Sequence, residues 1–432
     1  MNKIQKESEE LLSFDRLYGE LHKGFAELED HRRSNSSHSL GDIVSAAFAM
    51  FSLKSPSLLN FSLRSKQKDE NLMEVYKINK LCSDTQMREV LDKVQASKVR
   101  DLLGKVIGKV KKSEFFASYR YFKQMVVVSI DGVEHFSSGK VHCEHCLSKE
   151  HKSGQLTYSH SMLAAVMVHP HKREVLPLEA EPILRQDGCE KNDCERNAAK
   201  RLVKHLKERY PKLKALLVED ALYANGAHIE QILQAQYYYL IAVKPDSHKA
   251  LFKQVASREQ SNHYRFEDKN LVHELSWHNN LPLCSSQSQI RVNFLRYQQR
   301  DQKGDLLTEF TWITDLTLHK GNVLPLAKAG RSRWEIENET FNTLKNQGYH
   351  FGHNYGHGKD QLSTVLAYLM LLAFTLDQIQ QGACKTFRAI LAALKTKAKM
   401  WESLRAVFKL LPCLSMQQAW FHVANIYQVQ LE

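Results

Sequence analysis

A chain of 432 residues is too long for one ordinary compact core, so it should fold as two or three domains, or as one domain carrying a large insertion. Its 43% hydrophobic and 25% charged content excludes a disordered chain, and a net charge of +12 favours a polyanionic partner such as nucleic acid or an anionic membrane face. Eight cysteines and the polar, charged start MNKIQKESEE point to a reducing, cytoplasmic setting rather than to a disulfide framework.

Residues 1–120 read as helical and basic, with apolar residues at helical spacing in DIVSAAFAMFSL (42–53) and TQMREVLDKV (85–94). Ser83 or Asp84 is positioned to cap the second of these helices. Short Lys- and Arg-rich helices suit a DNA-binding region; a helical bundle with a wet basic face fits the same pattern.

Residues 121–249 have a different texture. MVVVSIDG (125–132) predicts a buried strand ending in a turn, YSHSMLAAVMV (158–168) a second strand, and DCERNAAKRLVKHLKERY (193–210) a helix. LKALLVED (213–220) and YYYLIAV (237–243) predict two more strands. Strands alternating with helices imply an α/β fold whose ligands gather at the carboxyl ends of the strands, where Asp131 and Asp220 fall.

Residues 250–318 alternate in short segments, NLVHELSW, SQIRVNFLRYQQ and LTEFTWITDL, with QKGD as a hairpin turn, and read as a β-rich insertion. From 319 to 375 and on through 376–432 the pattern is helical, interrupted by the loop NQGYHFGHNYGHG (346–358). The run VLAYLMLLAF (365–374) is shorter than the roughly 20 residues that span a bilayer, so it reads as a buried core helix and no membrane is expected.

RWEIENETFNTLK (333–345) carries three glutamates at alternate positions. At about 100° per residue, Phe341 and Leu344 lie within about 40° of Glu337, with Trp334 about 60° away and Arg333 about 40° on the other side. Glu335 and Glu339 fall on the opposite, solvated face. A carboxylate in an apolar arc requires a partner. Either Glu337 forms a salt bridge with Arg333, or it completes a metal site with Asp131 and Asp220. Mg²⁺ and Mn²⁺ prefer oxygen ligands, and two such ions about 4 Å apart can serve an in-line displacement at phosphorus.

These residues resemble the DDE transposases of bacterial insertion sequences, in the group whose third acid lies in an Arg-Trp-x-Ile-Glu helix. RWEIE (333–337) matches that helix, and SIDG (129–132) and VEDALYAN (218–225) match the segments of the first two acids. The acids stand 89 residues apart (131 to 220) and then 117 apart (220 to 337), which leaves room for a β-strand insertion.

Covering roughly residues 40–375, the resemblance implies an RNase H-like catalytic core in which Asp131, Asp220 and Glu337 bind two Mg²⁺ or Mn²⁺ ions. It also implies Arg333, Trp334 and Lys345 on the DNA-binding side, double-stranded DNA as partner, a homodimer in the active complex, and a nucleoid-associated location. The chain departs from the group at Gly330, where tyrosine is expected, and at Lys345, which stands eight residues after Glu337 instead of seven. Glu339 is the alternative acid if the register is shifted.

Cys143 and Cys146 in HCEHC, with His151 and His160 downstream, look like half of a structural zinc site. Cys189 and Cys194 could add ligands, whereas ordinary reduced cysteines beside the sheet fit equally. The loop 346–358 reads as a flexible polar segment or as a surface whose aromatics stack on unpaired bases. FRAILAALKTKAKMWESLRAVFKLL (387–411) reads as an amphipathic stretch that packs on the core or pairs subunits.

The expected activity is metal-dependent cleavage of DNA at element ends followed by strand transfer into target DNA. The rivals are a divalent-metal nuclease without strand transfer and a non-catalytic DNA-binding protein.

Overall fold

Strand β1 (Val126–Ser138) begins with the buried run Val126, Val127, Val128. In the computed structural model, residues 10–65, 70–185, 191–258, 261–284 and 289–431 are described. The other strands are β2 (Leu147–Glu150), β3 (Leu156–Val168), β4 (Leu176–Ile183), β5 (Ala215–Glu219), β6 (Tyr238–Ala242), β7 (Asn262–Asp268), β8 (Leu271–Pro282), β9 (Arg291–Arg300) and β10 (Leu306–Thr314). They form one ten-stranded mixed sheet in the order β2-β3-β1-β5-β6-β10-β9-β8-β7, with β4 also pairing with β3.

β1, β3 and β4 are antiparallel, whereas β1, β5 and β6 run parallel. All five residues of β5 are buried, the burial expected of parallel strands covered on both faces. The turn expected at Asp131-Gly132 is not formed. β3 continues to pair with β1 as far as Ser138, so Asp131 lies inside a long strand and only its pairing with β5 has ended. The β-rich stretch joins the same sheet: β10 pairs antiparallel with β6 and carries the sheet onward through β9, β8 and β7.

Helices wrap this sheet. The Lys191–Arg209 helix packs on β3 and β4, and the Leu362–Ala383 helix packs on β4 and on the N-terminal helices Phe14–Ala26, Leu40–Ser52 and Ala96–Val110. Ser39 and Ser83 cap their helices by accepting from the Asp42 and Gln86 backbone N–H groups. The Leu40–Ser52 helix buries every residue except Gly41, so this apolar pattern belongs to the core and not to a DNA-facing surface. The Leu362–Ala383 helix is long and apolar enough to cross a membrane, but its apolar window is entirely buried within the fold.

At the C-terminal end, the 387–411 pattern divides at Lys395, whose φ of 65° ends the Lys385–Leu394 helix before Lys397–Leu410 begins. These helices and Met416–Ile426 close around the rings of Phe387, Trp401 and Trp420.

Candidate active site

The parallel register of β1 and β5 ends at Ser129↔Val218, and two residues farther on are Asp131 and Asp220. Alternate strand residues share a face, so Asp131 keeps the face of Ser129. Ser129 Oγ donates to the Arg333 carbonyl at 3.2 Å, fixing the start of the third-acid segment against β1. Asp220 caps the short turn Ala221–Tyr223 by accepting from the Leu222 N–H at 2.8 Å on Oδ1. Glu219 turns the other way and meets His228 Nε2 at 2.9 Å.

Glu337 lies in a π-helical segment, Ile336–Phe341, in which the Asn342 N–H donates to the Glu337 carbonyl. Arg333 joins two of the acids: Nη1 lies 3.2 Å from Asp131 Oδ2, and Nη2 lies 2.7 Å from Glu337 Oε1. Burial is the largest influence on Asp131 and raises its carboxyl to about 6. Arg333 and the Gly132 N–H oppose that rise, while Glu337 and Asp220 add to it through charge repulsion. Asp131 therefore stands in the field of both other acids, with one guanidinium offsetting the repulsion. Carboxylates are the hard oxygen donors that Mg²⁺ and Mn²⁺ prefer, but among the described residues these three do not close into a ready-made metal group, and Arg333 pairs with both Asp131 and Glu337.

The π segment changes the expected faces. Trp334 is 53% exposed and does not enclose Glu337, whose side chain is 43% exposed. Glu335 and Glu339 are half-buried rather than solvated, and burial, then the nearby Glu339 charge, raises the Glu335 carboxyl while Arg173 opposes. The same segment accounts for the late lysine. In a regular helix Lys345 would stand about 80° from Glu337; one extra residue taken up in the π turn returns it to about 20°. Lys345 is exposed.

Gly330 also has a physical reason. A Cβ there would lie 2.6–2.8 Å from three atoms of the Trp312 indole on β10, so no tyrosine fits.

Cys143 and Cys146 come together, with their sulfurs 3.9 Å apart, and are joined by His160 of β3 and by His357. His357 lies in the loop expected to be flexible. That loop is packed instead: Tyr349, Phe351, Tyr355 and His357 are buried, so its aromatics are not a platform for bases. His151 bonds Thr157 rather than joining the cluster. Cys189 and the side chain of Cys194 lie outside the described residues.

Sequence reasoning also missed Glu195, whose Oε1 accepts from Tyr223 OH at 2.9 Å and closes against Gly132 beside Asp131. Nothing in the pattern of its helix distinguishes it.

A family model described as Transposase DDE domain matches residues 138–376, a span that includes Asp220 and Glu337 and starts just after Asp131. The match brings with it an RNase H-like core, which here corresponds to β4-β3-β1-β5-β6. No curated protein matches the chain.

Proposed function

We propose, for a chain that belongs to the transposase DDE domain family, that it cleaves DNA strands at the ends of a mobile element and transfers the exposed 3′-hydroxyls into target DNA. Asp131, Asp220 and Glu337 would hold two Mg²⁺ or Mn²⁺ ions. The observation that supports this best is the pairing of one guanidinium, Arg333, with both Asp131 at 3.2 Å and Glu337 at 2.7 Å, beside a half-buried Asp131 carboxyl that is raised to about 6. Bound there, the ions supply activation of the attacking oxygen and stabilisation of the leaving oxygen at phosphorus.

The remaining roles fall to side chains. Arg333 offsets the carboxylates when no other cation is near, and its planar guanidinium suits a DNA phosphate once Asp131 and Glu337 are otherwise neutralised. Lys345, exposed one helical stretch beyond, would contact the backbone of the same DNA as a point charge. The exposed Trp334 indole would rest against that DNA. Handling two element ends together calls for a homodimer.

The test uses a supercoiled plasmid carrying the element's own ends, incubated with the full chain and Mg²⁺. Wild type should give cleaved ends and joined products, and Glu337→Gln should give neither while melting at an unchanged temperature. Unchanged cleavage by Glu337→Gln would remove Glu337 from the site. Cleavage by wild type without joined products would reduce the activity to that of a nuclease.

A further inference from the structure

We propose that Cys143, Cys146, His160 and His357 bind one Zn²⁺, and that this ion staples the connection after the third-acid helix to the β1–β3 ladder. The four ligand atoms lie within 4.8 Å of one another. The Cys143 and Cys146 sulfurs are 3.9 Å apart, too far for a disulfide and near the edge of a tetrahedron. His160 Nε2 is 3.4 Å from each sulfur, His357 Nε2 is 3.3 Å from the Cys146 sulfur, and the two nitrogens are 3.2 Å apart. Bonds of about 2.3 Å to sulfur and about 2.0–2.1 Å to nitrogen give tetrahedral edges of about 3.8 Å (S–S), 3.6 Å (S–N) and 3.4 Å (N–N). These five edges follow that order, and the sixth, from the Cys143 sulfur to His357 Nε2, lies within 4.8 Å.

The tautomer of His357 leaves a ligand atom directed into the cluster. His357 Nδ1 lies 2.7 Å from the Gly358 carbonyl, which can only accept, so the neutral ring carries its proton on Nδ1. The lone pair of Nε2 then faces His160 Nε2 and the Cys146 sulfur. A carbonyl holding the outer nitrogen of a ligand histidine is the usual support in zinc sites. On the cysteine side, the Cys143 N–H donates to the Cys146 sulfur at 3.4 Å, and the Cys146 N–H donates to the Cys143 carbonyl at 3.3 Å, a tight turn that aims both sulfurs inward. Cys146, His160 and His357 are buried and Cys143 is half-buried.

The ligands come from three places. Cys143 and Cys146 sit between β1 and β2, and His160 lies on β3 opposite Phe136 of β1. His357 lies between Asn346, where the third-acid helix ends, and Leu362, where the long buried helix starts. The Phe136 ring is 4.4 Å from the His357 ring. One ion at this point fixes the far side of the Glu337 segment to the same strand that carries Asp131, while Ser129 fixes its near side. Thiolate and imidazole donors select zinc over the hard cations suited to the carboxylates, so the two sites should load independently. This inference does not rest on the DNA chemistry.

The test is metal analysis of the full chain purified with zinc available, where about one Zn²⁺ per chain is expected. Co²⁺ in its place should give the visible bands of a tetrahedral ion and a thiolate charge-transfer band. Cys143→Ser and His357→Ala should lose both signals, and Asp131→Asn and Glu337→Gln should keep them. Independently of any variant, stripping the metal from wild type should expose two thiols to a thiol reagent and speed amide exchange across residues 347–361. Wild type that carries no zinc and gives no Co²⁺ bands would overturn the proposal. So would a folded His357→Ala chain that binds zinc as wild type does.

Discussion

Arg333 spans two acids, and that single contact ties the electrostatics of the site to its pH response. The folded Asp131 carboxyl, at about 6, holds its proton more tightly than the unfolded one, whose ordinary value is 3.8. By linkage this group favours folding below about pH 4, and the contribution is lost as pH rises through about 6. The span corresponds to at most about 3 kcal/mol for a side chain that is largely shielded. Without added divalent metal, wild type should therefore lose up to about 3 kcal/mol between pH 4 and pH 7 relative to Asp131→Asn, as read from urea unfolding. Parallel pH curves for the two chains would show that Asp131 is not under this stress. The residue types were legible in the sequence because SIDG follows a β-branched run, VED closes an apolar one, and RWEIE is a short, distinctive pattern. Their mutual placement was not. An Asp-Gly pair reads locally as a turn, and only pairing with β3, distant in sequence, keeps Asp131 in extended backbone.

At the scale of elements, an assumed regular helix placed Arg333 beside Glu337 correctly but missed the exposure of Trp334 and the part-burial of Glu335 and Glu339, and it could not foresee the π turn, which leaves no periodic trace in a short segment. The correction has a measurable consequence. With Lys345 realigned beneath Glu337, Lys345→Gln should weaken binding to element-end DNA and lower the slope of log affinity against log salt by about 1, with melting unchanged. An unchanged slope would place Lys345 off the DNA. The helix before it, Val323–Arg331, yields another expectation. Gly330→Ala adds a Cβ about 2.6 Å from the buried Trp312 indole. Overpacking of this kind costs about 1–3 kcal/mol, more than the ~1 kcal/mol that alanine contributes to helix propensity. A lowered melting temperature, partly restored by Trp312→Leu, is expected; a more stable Gly330→Ala chain would refute the contact. β4 escaped sequence reading for a different reason. Pro177, Pro182, Glu179 and Glu181 argue against a strand locally. Yet among the described strands β4 pairs only with β3, and its acids are buried against Arg209 at 2.7 Å and against Arg100 and Arg201 at 2.9 and 2.6 Å.

Across the whole molecule, parts far apart in sequence close on one another through buried polar contacts that no local pattern announces. Asp92, at the end of the Asp84–Leu91 helix, accepts from the backbone N–H groups of Lys359, Asp360, Gln361 and Leu362 and so holds the start of the long buried helix. Gly358 is required there, with φ at +72° and no room for a Cβ beside the Asp92 carboxylate. Deeper inside, the fully buried Lys54 ammonium pairs with Asp377 of that helix, donates to the Ser52 carbonyl at 2.8 Å, and lies 3.9 Å from the centre of the Trp401 ring. Tyr349 OH donates to the same Asp377 carboxylate. Burial lowers the pKa of Lys54 and raises that of Asp377, each opposed by the other's charge, so neither ion is comfortable alone. Removing one partner leaves the other charge stranded in the core, and Asp377→Ala should cost about 3–5 kcal/mol in chemical denaturation. Replacing the polar group as a unit should behave differently. Lys54→Met with Asp377→Leu and Tyr349→Phe removes both charges and the hydroxyl that would otherwise lose its acceptor, and should recover most of that loss. If the triple variant is instead as unstable as the sum of its single changes, the contacts at residues 54, 349 and 377 contribute independently and do not act as one clamp between the N-terminal helices and the long buried helix.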